Sequence, residues 1–476
     1  MKMGRFLIIG LIVCSLLTTT GTTARGEAPL AELDSFVESV MAEWQVPGMA
    51  LGIVQNGKVI YTRGFGDRDV SQDLPVTADT VFAIGSTTKA FTALAYQMLT
   101  EDGLLDWDRP VREYLPGFRM YDLFTTERIT ARDWALHRSG LARHDIPFLF
   151  NPDLNVTEFL GHLDSLKPYM EFRTQASYSS LGYVILGRLL EQATGRPWTD
   201  VVRDRILQPL EMQQTSFTIA DLQRAPEYAT QYALAEGKLI PVPYTSLEAV
   251  GPAGGMNSTL ADMLKWVRFQ LNNGRAGDRQ LVSPPGLAQT QAPQMIRLPD
   301  LTTMSSYGLG WIAESYRGHA QVYHTGNTLG SSSLVSFLPQ DGIAVVMLSN
   351  VQVNPAFAIV ANYIYDRLLG LEPVDWRTQY GQMVAAQQQA MAAGKDGAAG
   401  KPGTSPSHSL ASYTGDYRHP AYGTVQVRLA DGKLTARYFT AAMTLEHWHF
   451  DQFRGRMTDL QPLEASFRFV TNVTGD

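Results

Sequence analysis

Strand signals in this chain stand at both ends of a long helix-rich stretch, and that arrangement constrains the fold more than any other feature. Near the start, residues 49–54 and 59–65 read as a β-hairpin turned at Asn56-Gly57. It follows a helix over 31–44, where Leu33, Phe36, Val37, Val40, Met41 and Trp44 keep helical spacing and Val46-Pro47-Gly48 ends the run. Strands return at 308–313, 320–323, 332–338 and 343–348, followed by a helix over 356–369. Between them, residues 105–274 read as helices and loops, including an amphipathic helix over 181–193 closed by Thr194-Gly195. The order is not a βαβ series, and no glycine-rich dinucleotide or phosphate loop occurs.

Past this region the pattern changes. Residues 374–393 read as an Ala/Gln-rich helix and 394–410 as a flexible linker. Residues 411–476 alternate in the manner of strands, as in Thr424-Val425-Gln426-Val427-Arg428-Leu429, with Asp431-Gly432 as a hairpin turn. They read as a separate small β domain, thin for a closed barrel. Its final strand signal, 466–470, stops almost at the last residue, which leaves its completeness open. His447, His449 and Asp451 stand at spacing two, so a strand would put them on one face. A metal site is one reading; in an aromatic strand, packing or an interface is the commoner one. Covering a site on the preceding region, or homo-oligomer formation, is the expected role of this domain.

Composition narrows the classes further. With 45% hydrophobic and 18% charged residues the chain is globular, and a net charge of −7 with no long basic run argues against nucleic acid as a partner. Residues 1–24 read as an export signal. Lys2 and Arg5 precede an apolar stretch, 6–17, too short to span a bilayer comfortably, and Thr22-Thr23-Ala24 offers small residues for cleavage. An uncleaved anchor is the alternative; a lipoprotein fits poorly, because Cys14 lies inside the apolar stretch. Cleavage removes Cys14, the only cysteine, and with it any disulfide, thiol nucleophile or thiolate metal site. A periplasmic or extracellular location is expected. Nothing is drawn from the sequons at Asn155, Asn257 and Asn472.

The chemistry lies in Ser86-Thr87-Thr88-Lys89, set between a strand-and-turn signal at 80–85 and a mostly apolar helix over 90–99. Serine is a poor nucleophile until a base takes its proton. Residues three apart on a helix share a face, so a desolvated lysine can serve as that base. Alone, the tetrapeptide also reads as a capping serine followed by a surface lysine. Two further motifs follow in order: Tyr178-Ser179-Ser180 before a helix, and His324-Thr325-Gly326 at a strand end, leading into Asn327.

With these motifs the chain resembles the serine β-lactamase and penicillin-recognising hydrolases, on the class C β-lactamase and D-aminopeptidase branch. The likeness covers roughly 33–370 and includes His137-Arg138-Ser139-Gly140-Leu141, Gln208-Pro209-Leu210-Glu211-Met212, Pro252-Ala253-Gly254-Gly255-Met256 and Tyr307-Gly308-Leu309-Gly310-Trp311. It implies an α+β fold, an antiparallel sheet flanked by helices with a helical subdomain, over 25–393. Residues 413–423 resemble the lipocalin-like β domain that follows the hydrolase in some members. The resemblance implies Ser86 as nucleophile, Lys89 as general base and Tyr178 as proton carrier. Backbone N–H groups of Ser86 and Asn327 would form the oxyanion hole, with Ser180, His324, Thr325 and Gly326 facing the substrate, and no metal or cofactor. Ser180 departs from the family's asparagine, whose amide can bond an amide substrate. His324 departs from lysine, so a fixed cation becomes mostly neutral near pH 7. Ser180 can also be a plain helix N-cap, and His324 a packing residue. The expectation is an exported acyl-enzyme hydrolase of small amides or peptides. A carboxylesterase, a weak β-lactamase or penicillin-binding protein, and a non-catalytic assembly protein are its rivals.

Overall fold

The computed structural model describes residues 30–476 apart from 152, 236, 298–304, 353–354, 398–399, 457–463 and 471–476. The expected export signal, 1–24, and Asn472 lie outside the described residues. Among the described residues no helix is long and apolar enough to cross a membrane.

The separated strand signals join one nine-stranded antiparallel sheet. From the N-terminal side come β1 (Gly48–Gln55), β2 (Lys58–Asp69) and β3 (Leu74–Pro75). From beyond the helical stretch come β4 (Met295–Ile296), β5 (Ser306–Tyr307), β6 (Ile312–Tyr316), β7 (His319–Asn327), β8 (Ser332–Leu338) and β9 (Ile343–Ser349). The order is β4-β5-β6-β7-β8-β9-β1-β2-β3, and β9 meets β1 in a continuous register from Met49↔Ser349 to Gln55↔Ile343. Side chains of a strand alternate between faces, and here both faces are covered. Along β9, Ala344, Val346 and Leu348 enter one core while Ile343, Val345 and Met347 enter the other. That is why these strands read as unbroken apolar runs. Each fully buried Val, Leu, Ile or Met side chain of this kind contributes about 1.5–3 kcal/mol.

The second core is closed by α1 (Leu33–Glu43) and α5 (Ala356–Leu369), which bring Leu33, Val37, Val40, Phe357, Val360 and Ile364. The first holds α2 (Thr88–Glu101), α3 (Leu181–Thr194) and α4 (Leu260–Leu271). Helix α4 sits tight on the sheet at Gly52, where a Cβ would stand 2.8 Å from a Leu264 methyl. Phe91 of α2 stacks on Trp266 of α4 at 3.9 Å, and every residue of α2 from Thr88 to Leu99 is buried.

One strand expectation fails. Residues 308–313 are not a single strand: β5 ends at Tyr307, β6 begins at Ile312, and a turn lies between, with Gly308 N–H donating to Trp311 O at 2.8 Å. Gly310 takes φ +86°, and a Cβ there would stand 2.8 Å from Ala90 Cα. The turn is thus pressed against the start of α2 at a place that only glycine fits.

The helix expected over 374–393 is observed as α6 (Trp376–Gly397), running into the stretch expected to be a linker. Beyond it a six-stranded antiparallel sheet runs in simple sequence order from Gly415 to Arg468, an open meander among the described residues. Asp431 and Gly432 both take positive φ in a tight hairpin turn, as their sequence suggests. The three-residue face of His447, His449 and Asp451 does not form. The register slips between His447 and His449, Phe450 takes φ +45°, and Asp451 leaves the strand to accept hydrogen bonds from Ser407 and Tyr413. This sheet docks on the hydrolase region. Thr440 donates through both N–H and Oγ1 to Phe150 O, at 3.2 and 2.9 Å. Tyr422 hydrogen-bonds His144, and Ala421 is buried in the first core.

Candidate active site

Between Thr80 and Leu99 every residue is buried except Ser86. It lies in the single turn Gly85–Thr87 that leads into α2, a turn whose Gly85 has φ +50°. Spacing of three then brings Lys89, itself fully buried, back to Ser86. Lys89 Nζ is 3.0 Å from Ser86 Oγ and donates to Ala253 O at 2.8 Å. A carbonyl only accepts, so one amine proton is committed to Ala253. In the neutral amine the lone pair is then free to take the proton of Ser86. The stretch 252–256 is therefore the back wall of the site. It also accepts a hydrogen bond from Thr92 Oγ1 at Pro252 O, 2.7 Å, and donates one from Met256 N–H to Thr88 Oγ1.

Strand β7 passes against the same turn. Residues 324–327 all lie within the strand, and alternation makes His324 and Gly326 buried, Thr325 half-buried and Asn327 exposed. A Cβ on Gly326 would stand 1.9 Å from Ile84 O, and one on Gly85 2.8 Å from the Asn327 amide nitrogen. The two backbone N–H groups implied for an oxyanion hole thus border one turn. N–H groups directed into such a place, partly screened from water, would stabilise an anionic oxygen on a carbon attached to Ser86.

Tyr178 stands beside Lys89, whose Nζ is 5.0 Å from the Tyr178 ring centroid and 5.5 Å from that of Tyr183. Arg143 stands 5.6 Å over the Tyr178 ring. The cap expected of Ser180 is made by its neighbour: Ser179 Oγ accepts from Leu181 N–H and donates to Arg143 O. Ser180 occupies the N-cap position of α3 with no side-chain cap bond, and it is half-buried.

His324 is buried, with Nδ1–H donating to Thr325 O and Nε2 accepting from the Tyr307 hydroxyl at 2.8 Å. Its ring is 6.3 Å from that of Tyr178. Burial, with the Lys89 charge adding to it, pushes its pKa down to about 3. The neutrality expected from the sequence is thereby strengthened, and no fixed cation stands where the family usually has lysine. Because the folded value lies below the ordinary histidine value, an unfolded chain binds a proton that the folded one refuses. Stability is fully present above pH 6.5 and is lost as pH falls toward 3. Thermal midpoints measured from about pH 7 to 4 should fall, and His324→Gln should flatten that slope; an unchanged slope would mean that His324 already protonates in the folded state.

Three participants carry no role in the sequence reading: Ala253, Tyr307 and His137. All lie in phrases noted there for family likeness only. A buried His137 ring stands 4.5 Å from Tyr178 and 4.6 Å from Tyr307.

The fold and the order of these motifs are those of the penicillin-recognising serine hydrolase family. The family model described as Beta-lactamase matches residues 33–369, and the chain belongs to that β-lactamase and penicillin-binding-protein-like family. Residues 399–476 match a domain of unknown function, DUF3471. An unguisins hydrolase of Aspergillus campestris is 30% identical over 414 residues, 81% of this chain and 75% of the relative. Penicillin-binding protein 4 of Amycolatopsis lactamdurans is 28% identical over 331 residues, 67% of this chain and 85% of the relative. Among solved structures, the octameric penicillin-binding protein homologue from Pyrococcus abyssi superposes with a TM-score of 0.66 at 24% identity, covering 93% of this chain and 96% of that one.

Proposed function

We propose that this chain is an exported serine acyl hydrolase that cleaves small amide or peptide substrates through an ester on Ser86. The observation that carries the reading is the buried Lys89 amine, 3.0 Å from the one partly exposed side chain in its segment. Lys89 takes the Ser86 proton as Oγ bonds to the substrate carbonyl carbon. The carbonyl electrons move to oxygen, held by the N–H groups of Ser86 and Asn327. When the C–N bond breaks, Tyr178 passes a proton to the leaving amine, and an ester remains on Ser86. Water then attacks that ester, giving up its proton along the same route, and the acid leaves. Ser180 and Thr325 face the substrate. The neutral His324 offers no charge to a substrate carboxylate, which weighs against β-lactams as the main substrate.

A labelled fluorophosphonate, and separately a labelled penicillin, should each be tried on the purified chain with intact-mass detection. The expected result is one adduct from the fluorophosphonate on Ser86, absent in Ser86→Ala. No adduct with either reagent would sink the hydrolase reading and favour an assembly protein. Turnover of D- or L-amino-acid p-nitroanilides is then expected; turnover of p-nitrophenyl esters alone would make the chain a carboxylesterase.

A further inference from the structure

We propose that His137 is the positioning residue for Tyr178, a role that rests on the catalytic part given to Tyr178 above. Two bonds bracket that tyrosine. The His137 carbonyl accepts from Ser177 N–H at 2.7 Å, and its ring Nδ1 accepts from Ser179 N–H at 3.2 Å. One anchor lies on each side of Tyr178, and the imidazole ring packs directly on the phenol between them. A tyrosine held at both neighbouring amides and along its ring has little freedom to swing away from Lys89.

The ring is set up for this task. Because a backbone N–H must donate to Nδ1, the proton of the neutral imidazole sits on Nε2. Nε2 is buried and has no hydrogen-bond partner among the described residues. Burial, reinforced by the charge of Lys89, drives the His137 pKa well below the ordinary value, so the accepting form persists. His137 also has φ +58°, a left-handed backbone that a non-glycine residue adopts only under strain. Such strain persists where the surroundings over-determine it, and they do here. Arg138 O accepts from Arg173 N–H at 3.0 Å, Gly140 O accepts from Tyr169 and Met170, and Arg138 and Arg173 both donate to the buried Asp133 carboxylate at 2.7 and 2.8 Å. Residues 138–140 are therefore pinned to the 169–173 segment independently of the imidazole. Losing the ring should loosen Tyr178 without undoing the loop.

Asparagine places Oδ1 close to where Nδ1 stands and tolerates a left-handed backbone. Glutamine carries its oxygen one bond too far, and leucine has bulk but no acceptor. With whichever p-nitroanilide or p-nitrophenyl ester the wild type turns over fastest, His137→Leu should lower kcat about 100-fold with KM changed less than about threefold, as a misplaced catalytic group does. His137→Asn should return kcat to within about fivefold of wild type, and His137→Gln should resemble leucine. In a Tyr178→Phe background His137→Leu should cost little further, because it acts through the missing hydroxyl. Nitrogen-15 NMR of the wild type should show the Nε2–H tautomer for His137.

Asparagine no better than leucine, glutamine as good as asparagine, or full additivity with Tyr178→Phe would each overturn the proposal. Should leucine fail to fold, the asparagine–glutamine pair still decides it. An unimpaired His137→Leu beside an impaired Tyr178→Phe overturns the clamp alone. Wild-type turnover by Tyr178→Phe overturns the part given to Tyr178, and the clamp with it.

Discussion

Lys89→Met is expected to slow acylation of Ser86 by about three to four orders of magnitude, the upper part of the range for a lost general base. Methionine keeps the length and most of the volume of the lysine stem in a position with no solvent exposure, so the helix should remain packed. What disappears is the only side-chain nitrogen hydrogen-bonded to Ser86 Oγ among the described residues. The Ala253 carbonyl loses its 2.8 Å donor at the same time, a buried loss of about 1–3 kcal/mol. Methionine brings no polar group that needs a partner in that buried place, so the stability effect is small beside the kinetic one. Arginine should fail as well: its guanidinium stays protonated and cannot accept from a hydroxyl. Rates of fluorophosphonate adduct formation, read by intact mass, provide the check. Acylation within tenfold of wild type in Lys89→Met would hand the base role to another group.

The residues that made this legible in sequence are those whose side chains carry the chemistry at a fixed helical spacing. Ser86 and Lys89 lie one turn apart whatever surrounds them. Strands β1, β8 and β9 were legible because burial on both faces demands unbroken apolar runs. The same reasoning misread 308–313, since Leu309 and Trp311 are buried from a turn and nothing in their apolarity distinguishes a turn from a strand. Helix α6 ran past its expected end because Ala and Gln at 384–393 set no stop, and the Gly394 beyond them costs a helix only about 1 kcal/mol. In the site, the silent contributors are backbone groups and conformations. The Ala253 carbonyl receives Lys89 through an atom that every residue has. His137 matters through a positive φ and two accepted amides, none of which leaves a compositional trace. Ser179 and Ser180 are chemically identical neighbours, and only the observed bonds assign the cap to Ser179.

Gly326→Ala should cut acylation about 100-fold while leaving Lys89 and Ser86 chemically intact. The new methyl would stand 1.9 Å from Ile84 O and 2.5 Å from Ser333 Oγ. Ser333 can rotate, but Ile84 O is backbone and is already fixed by Thr87 Oγ1 at 2.8 Å and Ser333 Oγ at 2.7 Å. Restoring ordinary contact therefore requires β7 to move by about 1 Å or more. Asn327 follows Gly326 directly, so its N–H moves away from the turn that holds Ser86, and a displacement of that size costs about 10²-fold in rate. Overpacking adds a destabilisation of about 1–3 kcal/mol, which a thermal unfolding curve would register separately. Gly161→Ala is the matched control, since nothing lies within 4 Å of a Cβ there: its rate should not change and its midpoint should not fall. If Gly326→Ala were acylated within threefold of wild type, the Asn327 amide would not be holding the oxyanion. A lowered midpoint with an unchanged rate would likewise confine Gly326 to packing β7 against the Ser86 turn, because the same 1 Å that strains the sheet must also misplace the amide if that amide takes part.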